Sequence, residues 1–185
     1  MQRATSDYDL LDEFTIDICN IVEKHCKYVI VSGFFAISCG RARGTEDIDM
    51  IIERIDYENF EKMHQELSKK YNCLQSEDPK EIYEYLIENA SIRYTLKDRD
   101  IPEMEIKFTK DSLDKDQLQS RTKYKEITDL DIYFAPLEGQ IAFKEEYLKS
   151  EKDLEDAKHL RIVFKDELSE DKIKYYKNKI REIKL

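Results

Sequence analysis

Two aspartates one residue apart, Asp47 and Asp49, stand at the mouth of a short apolar run, Met50 to Ile52. In an extended segment residues i and i+2 point to the same face, about 6.6 Å apart along it. Asp47 and Asp49 therefore converge, while Ile48 and Met50 face the other way, toward a core. Two carboxylates on one face repel unless they share a cation or a proton. Hard oxygen donors of this kind suit Mg²⁺, which binds one or two carboxylates together with substrate phosphates. Two such ions, about 3.5–4 Å apart, serve the attacking and leaving oxygens of phosphoryl or nucleotidyl transfer. A third carboxylate is needed to hold the second ion and accept a proton. Glu105, in the alternating stretch Glu103–Phe108, is the first candidate and Glu103 the second. The plainer alternative makes Asp47 a loop or capping residue and Asp49 a solvated strand end, and an isolated D-x-D does not decide between the two.

The elements that must position these groups follow from the apolar pattern. Leu11, Phe14, Ile18 and Ile21/Val22 have helical spacing within Tyr8–Cys26. Tyr28–Val31 is a short continuous apolar strand ending in Ser32-Gly33, and its lack of alternation implies cover on both faces. A short helix is expected over Phe34–Cys39 and a second strand over Ile48–Ile52. Asp56 is a good N-cap, with Ile55 and Phe60 placed as a hydrophobic staple, for a helix running to about Tyr71. A helix over Lys80–Asn89, strands over Ser91–Lys97 and Glu103–Phe108, a surface helix or excursion over Asp111–Lys123 and a last strand over Ile132–Ala135 complete the front. From Leu137 onward the pattern is helical throughout, with Ser169 capping the last helix. The expected fold is α/β (α+β): a mixed β-sheet flanked by helices in one domain, residues 1–185, with a sheet-containing core (1–135) and a helical C-terminal part (136–185).

Charge and composition narrow the function. At 185 residues the chain is long enough to bury about 70% of its unfolded surface. The formal net charge of −10 argues against indiscriminate binding to nucleic acid or anionic membrane. No apolar run approaches the roughly 20 residues of a membrane span. Cys19, Cys26, Cys39 and Cys73 lack C-x-x-C spacing, and no signal peptide is evident, so reduced thiols and a cytoplasmic location are expected. Nothing beside Cys39 would activate its thiol. His25, His64 and His159 lack ligand spacing and read as surface or hydrogen-bonding residues.

A glycine that closes a strand, a short helix and then D-h-D, here Gly33 and Asp47-Ile48-Asp49, resembles the nucleotidyltransferase superfamily related to polymerase beta. The fuller string from Ser32 to Asp49, with Arg43, Thr45, Asp47 and Asp49, is similar to the minimal nucleotidyltransferase branch that includes AbiEii-type toxins. In Gln140–Leu160, Lys144 followed by Lys152, Asp153 and Asp156 is similar to that family's helical K…K-D-x-x-D segment. Two departures accompany the match: Phe34 follows Gly33 where the family has a small residue, and the third carboxylate is Glu105 rather than an aspartate.

The resemblance implies a nucleotidyltransferase that binds a nucleoside triphosphate (NTP) with Mg²⁺ at Asp47, Asp49 and Glu105. Gly33 would let the backbone approach the triphosphate, and Ser32 and the following amides would donate to its oxygens. Arg43, with Arg41 behind it, would neutralise phosphate charge beside Thr45. Lys144 would reach the phosphates from the helical part, with Lys152 a weaker candidate, and Asp153 and Asp156 would hold basic side chains or helix ends. The acceptor is left open among RNA, protein and a small molecule, as are a toxin–antitoxin role and a partner protein or homo-oligomer. The alternative is a degenerate member that binds nucleotide or a partner without turnover.

Overall fold

The Tyr28–Val31 run becomes the edge of a five-stranded mixed sheet in the computed structural model, which describes residues 9–184. Along the chain come α1 (Leu10–Val22), β1 (Tyr28–Val31), α2 (Gly33–Ser38), β2 (Asp47–Ile52), α3 (Tyr57–Leu67), β3 (Tyr71–Cys73), α4 (Pro79–Ile87), β4 (Ile92–Leu96) and β5 (Glu103–Phe108). There follow α5 (Ser112–Gln119), α6 (Lys125–Thr128), α7 (Leu137–Phe143), a π-helical turn (Lys144–Leu148), α8 (Glu151–Val163) and α9 (Glu170–Lys184). The strand order is β1-β2-β5-β4-β3, with β2 and β5 parallel and every other pair antiparallel. The mixed sheet flanked by helices is the expected architecture. The Tyr8 end of the first expected helix lies outside the described residues.

Local signals set most boundaries. Asp56 caps α3 by accepting from the Asn59 amide at 2.9 Å, and Ser150 and Asp111 cap α8 and α5 in the same way. Two segments differ from expectation. The helix expected to reach Tyr71 ends at Leu67, because Tyr71–Cys73 pairs with β4 as β3. Tyr71 is buried there against the edge of Phe14, 5.6 Å between ring centroids, and tertiary packing overrides local helical preference. The strand expected over Ile132–Ala135 is reduced to single bridges from Phe134 to Ile30 and to Thr122. Pro136, which has no N–H to continue a ladder, turns the chain into α7 directly after it.

The two faces of the sheet have different fates. Ile48, Met50, Ile52, Tyr94, Met104, Ile106 and Phe108 point into the main core, which also holds Phe34 and Phe35 of α2 with no exposed surface. Phe34 stacks on Phe134, so the bulky residue after Gly33 is a core anchor and leaves the opposite face clear. On that second face Val29 and Ile51 pack under Leu118 of α5 and Ala135, while the strand ends beyond them remain uncovered and charged. Among the described residues no helix is long and apolar enough to cross a membrane.

Candidate active site

The parallel pairing of β2 with β5 sets Asp47 opposite Glu103 and Asp49 opposite Glu105. Neighbouring strands lie about 4.8 Å apart and same-face residues about 6.6 Å apart along a strand, so four carboxylates share one small patch of the second face. Asp49 is the most enclosed of them. Burial pushes its carboxyl up first, the Ser32 hydroxyl bonded to it pulls it down, the charges of Glu105 and Asp47 push it up again, and Lys107 lowers it; the net shift is upward. Asp47 is exposed, and its Oδ1 accepts from the Thr45 hydroxyl at 2.9 Å. Across the antiparallel β4–β5 pair Arg93 stands opposite Glu105. Its Nη2 donates to Glu105 Oε2 at 2.6 Å, and its Nε lies 3.2 Å from Glu103 Oε1. With Glu105 turned to Arg93, no group of three or more His, Cys, Asp or Glu is assembled to hold a metal ion among the described residues.

The turn before α2 is shaped to aim Ser32. Its φ of 71° and ψ of −141° lie in a region that side chains strongly disfavour, and its hydroxyl bonds Asp49 instead of capping α2. Gly33 follows because Arg43 crosses over it: a Cβ on Gly33 would meet Arg43 Nη2 at 2.3 Å. Arg43 is gripped in turn by Asp156 of α8, with Nε on Oδ1 at 3.0 Å and Nη2 on Oδ2 at 2.9 Å. Lys144, 1% exposed, donates to Asp156 Oδ2 at 2.9 Å and to Asp153 Oδ1 at 3.4 Å. Burial pushes the Asp156 carboxyl up, but the hydrogen bonds from Arg43 and Lys144 outweigh it and hold the group below the ordinary carboxylate range. Arg41 pairs with Glu155 on the same helix. A buried ionic clamp thus fixes the loop between α2 and β2 to the helical part.

Beside the carboxylates, one step further along β2 and β5, a cavity opens between the second sheet face, α5 and the π-helical turn. Ser32, Lys107, Asp114, Gln117, Gln140 and Lys144 contribute its polar lining, and Val31, Ile51, Phe143 and Leu148 its apolar walls. Its empty volume is about 420 Å³, part of which is open to solvent.

No protein-family model matches the chain, and no curated protein matches it. Solved structures do. The solution structure of the antibiotic-resistance factor ANT(2'')-Ia aligns over 92% of this chain and 93% of its own, with a TM-score of 0.54 and 12% identity. The crystal structure of an antigenic nucleotidyltransferase-like protein from Paracoccidioides brasiliensis aligns over 80% of this chain and 73% of its own, with a TM-score of 0.54 and 14% identity. The chain has a nucleotidyltransferase-type fold.

Within that nucleotidyltransferase-type fold, the residues singled out in the sequence separate into two groups. Ser32, Asp47, Asp49 and Glu105 share the carboxylate face, with Thr45 on its rim. Gly33, Arg43, Lys144, Asp153 and Asp156 form the clamp behind it, where Asp153 and Asp156 hold basic side chains as expected. Lys152 is exposed and takes no part in this clamp. Two residues at the face carry no motif signal. Arg93 is visible in the sequence only as the polar side of an alternating strand, and the β4–β5 register is what brings it onto Glu105. Lys107 lies two residues past Glu105 on the same face, yet it forms no ion pair with Glu105, and its charge acts on Asp49 and Asp114.

Proposed function

We propose that this protein is a metal-dependent nucleotidyltransferase that moves a nucleoside monophosphate from an NTP to an acceptor. The observation that carries the reading is the carboxylate of Asp49, set beside Asp47 and Glu105 on a nucleotidyltransferase-type fold and held up in pKa first by burial and then by those neighbouring charges. A desolvated carboxylate with like charges beside it is a group that a cation stabilises.

The residues present fit one such ion. Asp47 and Asp49 offer hard oxygen donors from adjacent same-face positions and would hold Mg²⁺, while Glu105 joins them only by leaving Arg93. When bound, the ion supplies charge neutralisation and polarisation of phosphoryl oxygens. The chain's own groups do the rest. Ser32 fixes the Asp49 carboxylate, Thr45 fixes that of Asp47, and Lys107 places a positive charge at the mouth of the cavity next to Asp49. Arg43 and Lys144 add positive charge behind the turn while Asp156 holds them, so in this reading they act on phosphate through the position of the Ser32–Gly33 turn.

The match of Arg43, Thr45, Asp47 and Asp49 to the AbiEii-like pattern supports the minimal branch of the superfamily and, with it, a toxin–antitoxin role in the cytoplasm. The acidic surface favours a compact acceptor such as a protein side chain, a small molecule or an RNA end over a long nucleic acid. One observation favours a second reading: Arg93 occupies Glu105, as expected of a protein that binds nucleotide without transferring it.

Incubation with α-labelled NTP and Mg²⁺ separates the two. Label transferred to RNA, protein or a small acceptor by the wild type, and lost in Asp49→Ala, supports the enzyme. Stabilisation against heat by NTP and Mg²⁺ with no transfer to any of these acceptors leaves the binding protein, and absence of both effects removes both readings.

A further inference from the structure

We infer that Arg93 is a built-in second cation of the carboxylate face, so that the site takes a single divalent ion, at Asp47 and Asp49. The inference rests on the metal-dependent reading above and deepens it. Asp47, Asp49, Glu103 and Glu105 form a two-by-two patch fixed by the β2–β5 register. The Arg93 guanidinium bridges the β5 half of that patch, 2.6 Å from Glu105 and 3.2 Å from Glu103, and its charge also reaches Asp47. Strand pairing sets Arg93 directly opposite Glu105, within reach of both carboxylates of the β5 half. A guanidinium keeps its charge at every accessible pH and presents a fork that matches carboxylate geometry. Lys107 supplies a further positive charge beside Asp49.

The two halves of the patch then each have one cation, Arg93 on β5 and a divalent ion on β2. Arg93 serves Glu103 and Glu105 together, the ion serves Asp47 and Asp49, and Lys107 is shared between Asp49 and Asp114. A second ion within about 4 Å of the first would have to draw Glu105 away from Arg93 and leave that guanidinium facing added positive charge. On the β5 half of the patch both carboxylates, Glu103 and Glu105, are paired with Arg93, and among the described residues no three-ligand cluster is assembled.

The test is a Mn²⁺ titration of the full chain without nucleotide, with free Mn²⁺ followed by electron paramagnetic resonance. The wild type is expected to take up one ion per chain. Arg93→Met, which frees Glu103 and Glu105, is expected to gain a second ion at Mn²⁺ concentrations where the wild type binds only one. Arg93→Lys, which keeps the charge and guards against misfolding of the Met variant, is expected to remain at one, and Asp49→Asn to lose that one. Two ions in the wild type, or an unchanged count in a folded Arg93→Met, overturns the role of Arg93 and leaves the metal site standing. No ion in the wild type overturns the single-ion site inferred here, while the metal-dependent reading is decided separately by the transfer assay with NTP and Mg²⁺.

Discussion

Arg43 lies across Gly33 so closely that its Nη2 would stand 2.3 Å from a Cβ at that position. The glycine of the motif is therefore explained inside the protein, by a guanidinium stretched between the α2 turn and Asp156. Gly33→Ala should force Arg43 outward, at a cost of about 1–3 kcal/mol for overpacking. If the bond to Asp156 breaks as well, the cost should approach the roughly 3–5 kcal/mol of a disrupted buried ion pair. Urea unfolding of Gly33→Ala, Arg43→Ala and the double variant checks the coupling. The double variant should be less destabilised than the two single losses added together, because the clash disappears with the arginine.

Asp156 is the keystone of the clamp, fully buried with Arg43 and Lys144 both on its carboxylate. Asp156→Ala leaves buried Lys144 with only the longer contact to Asp153 and takes the carboxylate from half-buried Arg43, and should cost about 3–5 kcal/mol. The same pair of bonds makes a pH signature. Because the folded-state pKa of Asp156 is depressed, its contribution is fully present above the unfolded value of about 3.9 and is lost as pH falls through the lower folded value. Thermal melts between about pH 2 and pH 6 should show this acid loss in the wild type. Asp156→Asn should start lower and depend less on pH over the same interval.

Ser32 pays for its aim with backbone strain, since a non-glycine residue at φ 71° and ψ −141° costs about 1–3 kcal/mol. Ser32→Gly should therefore stabilise the protein by about 1 kcal/mol. It should also remove the hydroxyl that favours ionised Asp49, so the Asp49 pKa rises further. In a transfer assay the acidic limb of the pH–rate profile should move to higher pH. An unchanged limb would mean that the Ser32 bond does not tune the carboxylate.

What the sequence made legible here follows from distance along the chain. The common face of Asp47 and Asp49 could be read because strand alternation is local, and the Asp56 and Ser169 caps because capping spans only a few residues. Glu105 could be nominated from its own alternation, but its place opposite Asp49 is a parallel pairing across 56 residues of chain that no local pattern encodes. Arg93 was hidden for the same reason. The acidic residues of α8 were recognisable as holders of basic side chains, whereas the choice of Arg43, 113 positions away, is a matter of packing. β3 was missed because three residues are too short to show a period, so Tyr71 continued the apparent helix.

Asp49 gives the sharpest contrast between stability and function. Its raised pKa means that ionising it opposes folding. The folded state is favoured at low pH, and that advantage is lost as pH rises through the elevated folded pKa. At neutral pH without metal, Asp49→Asn should remove the repulsion from Asp47 and Glu105 while keeping the shape of the side chain. Its melting temperature should then rise by a few degrees, as roughly 1 kcal/mol gives in a chain of this size. Added Mg²⁺ and NTP should stabilise the wild type and fail to stabilise the variant, and nucleotidyl transfer should fall by about 10³-fold or more, the scale of a lost charge-stabilising group. A variant that melts lower in metal-free buffer would show that Asp49 is held by structural partners. An asparagine that raises stability while abolishing transfer is the behaviour of a residue kept for its chemistry at the expense of the fold.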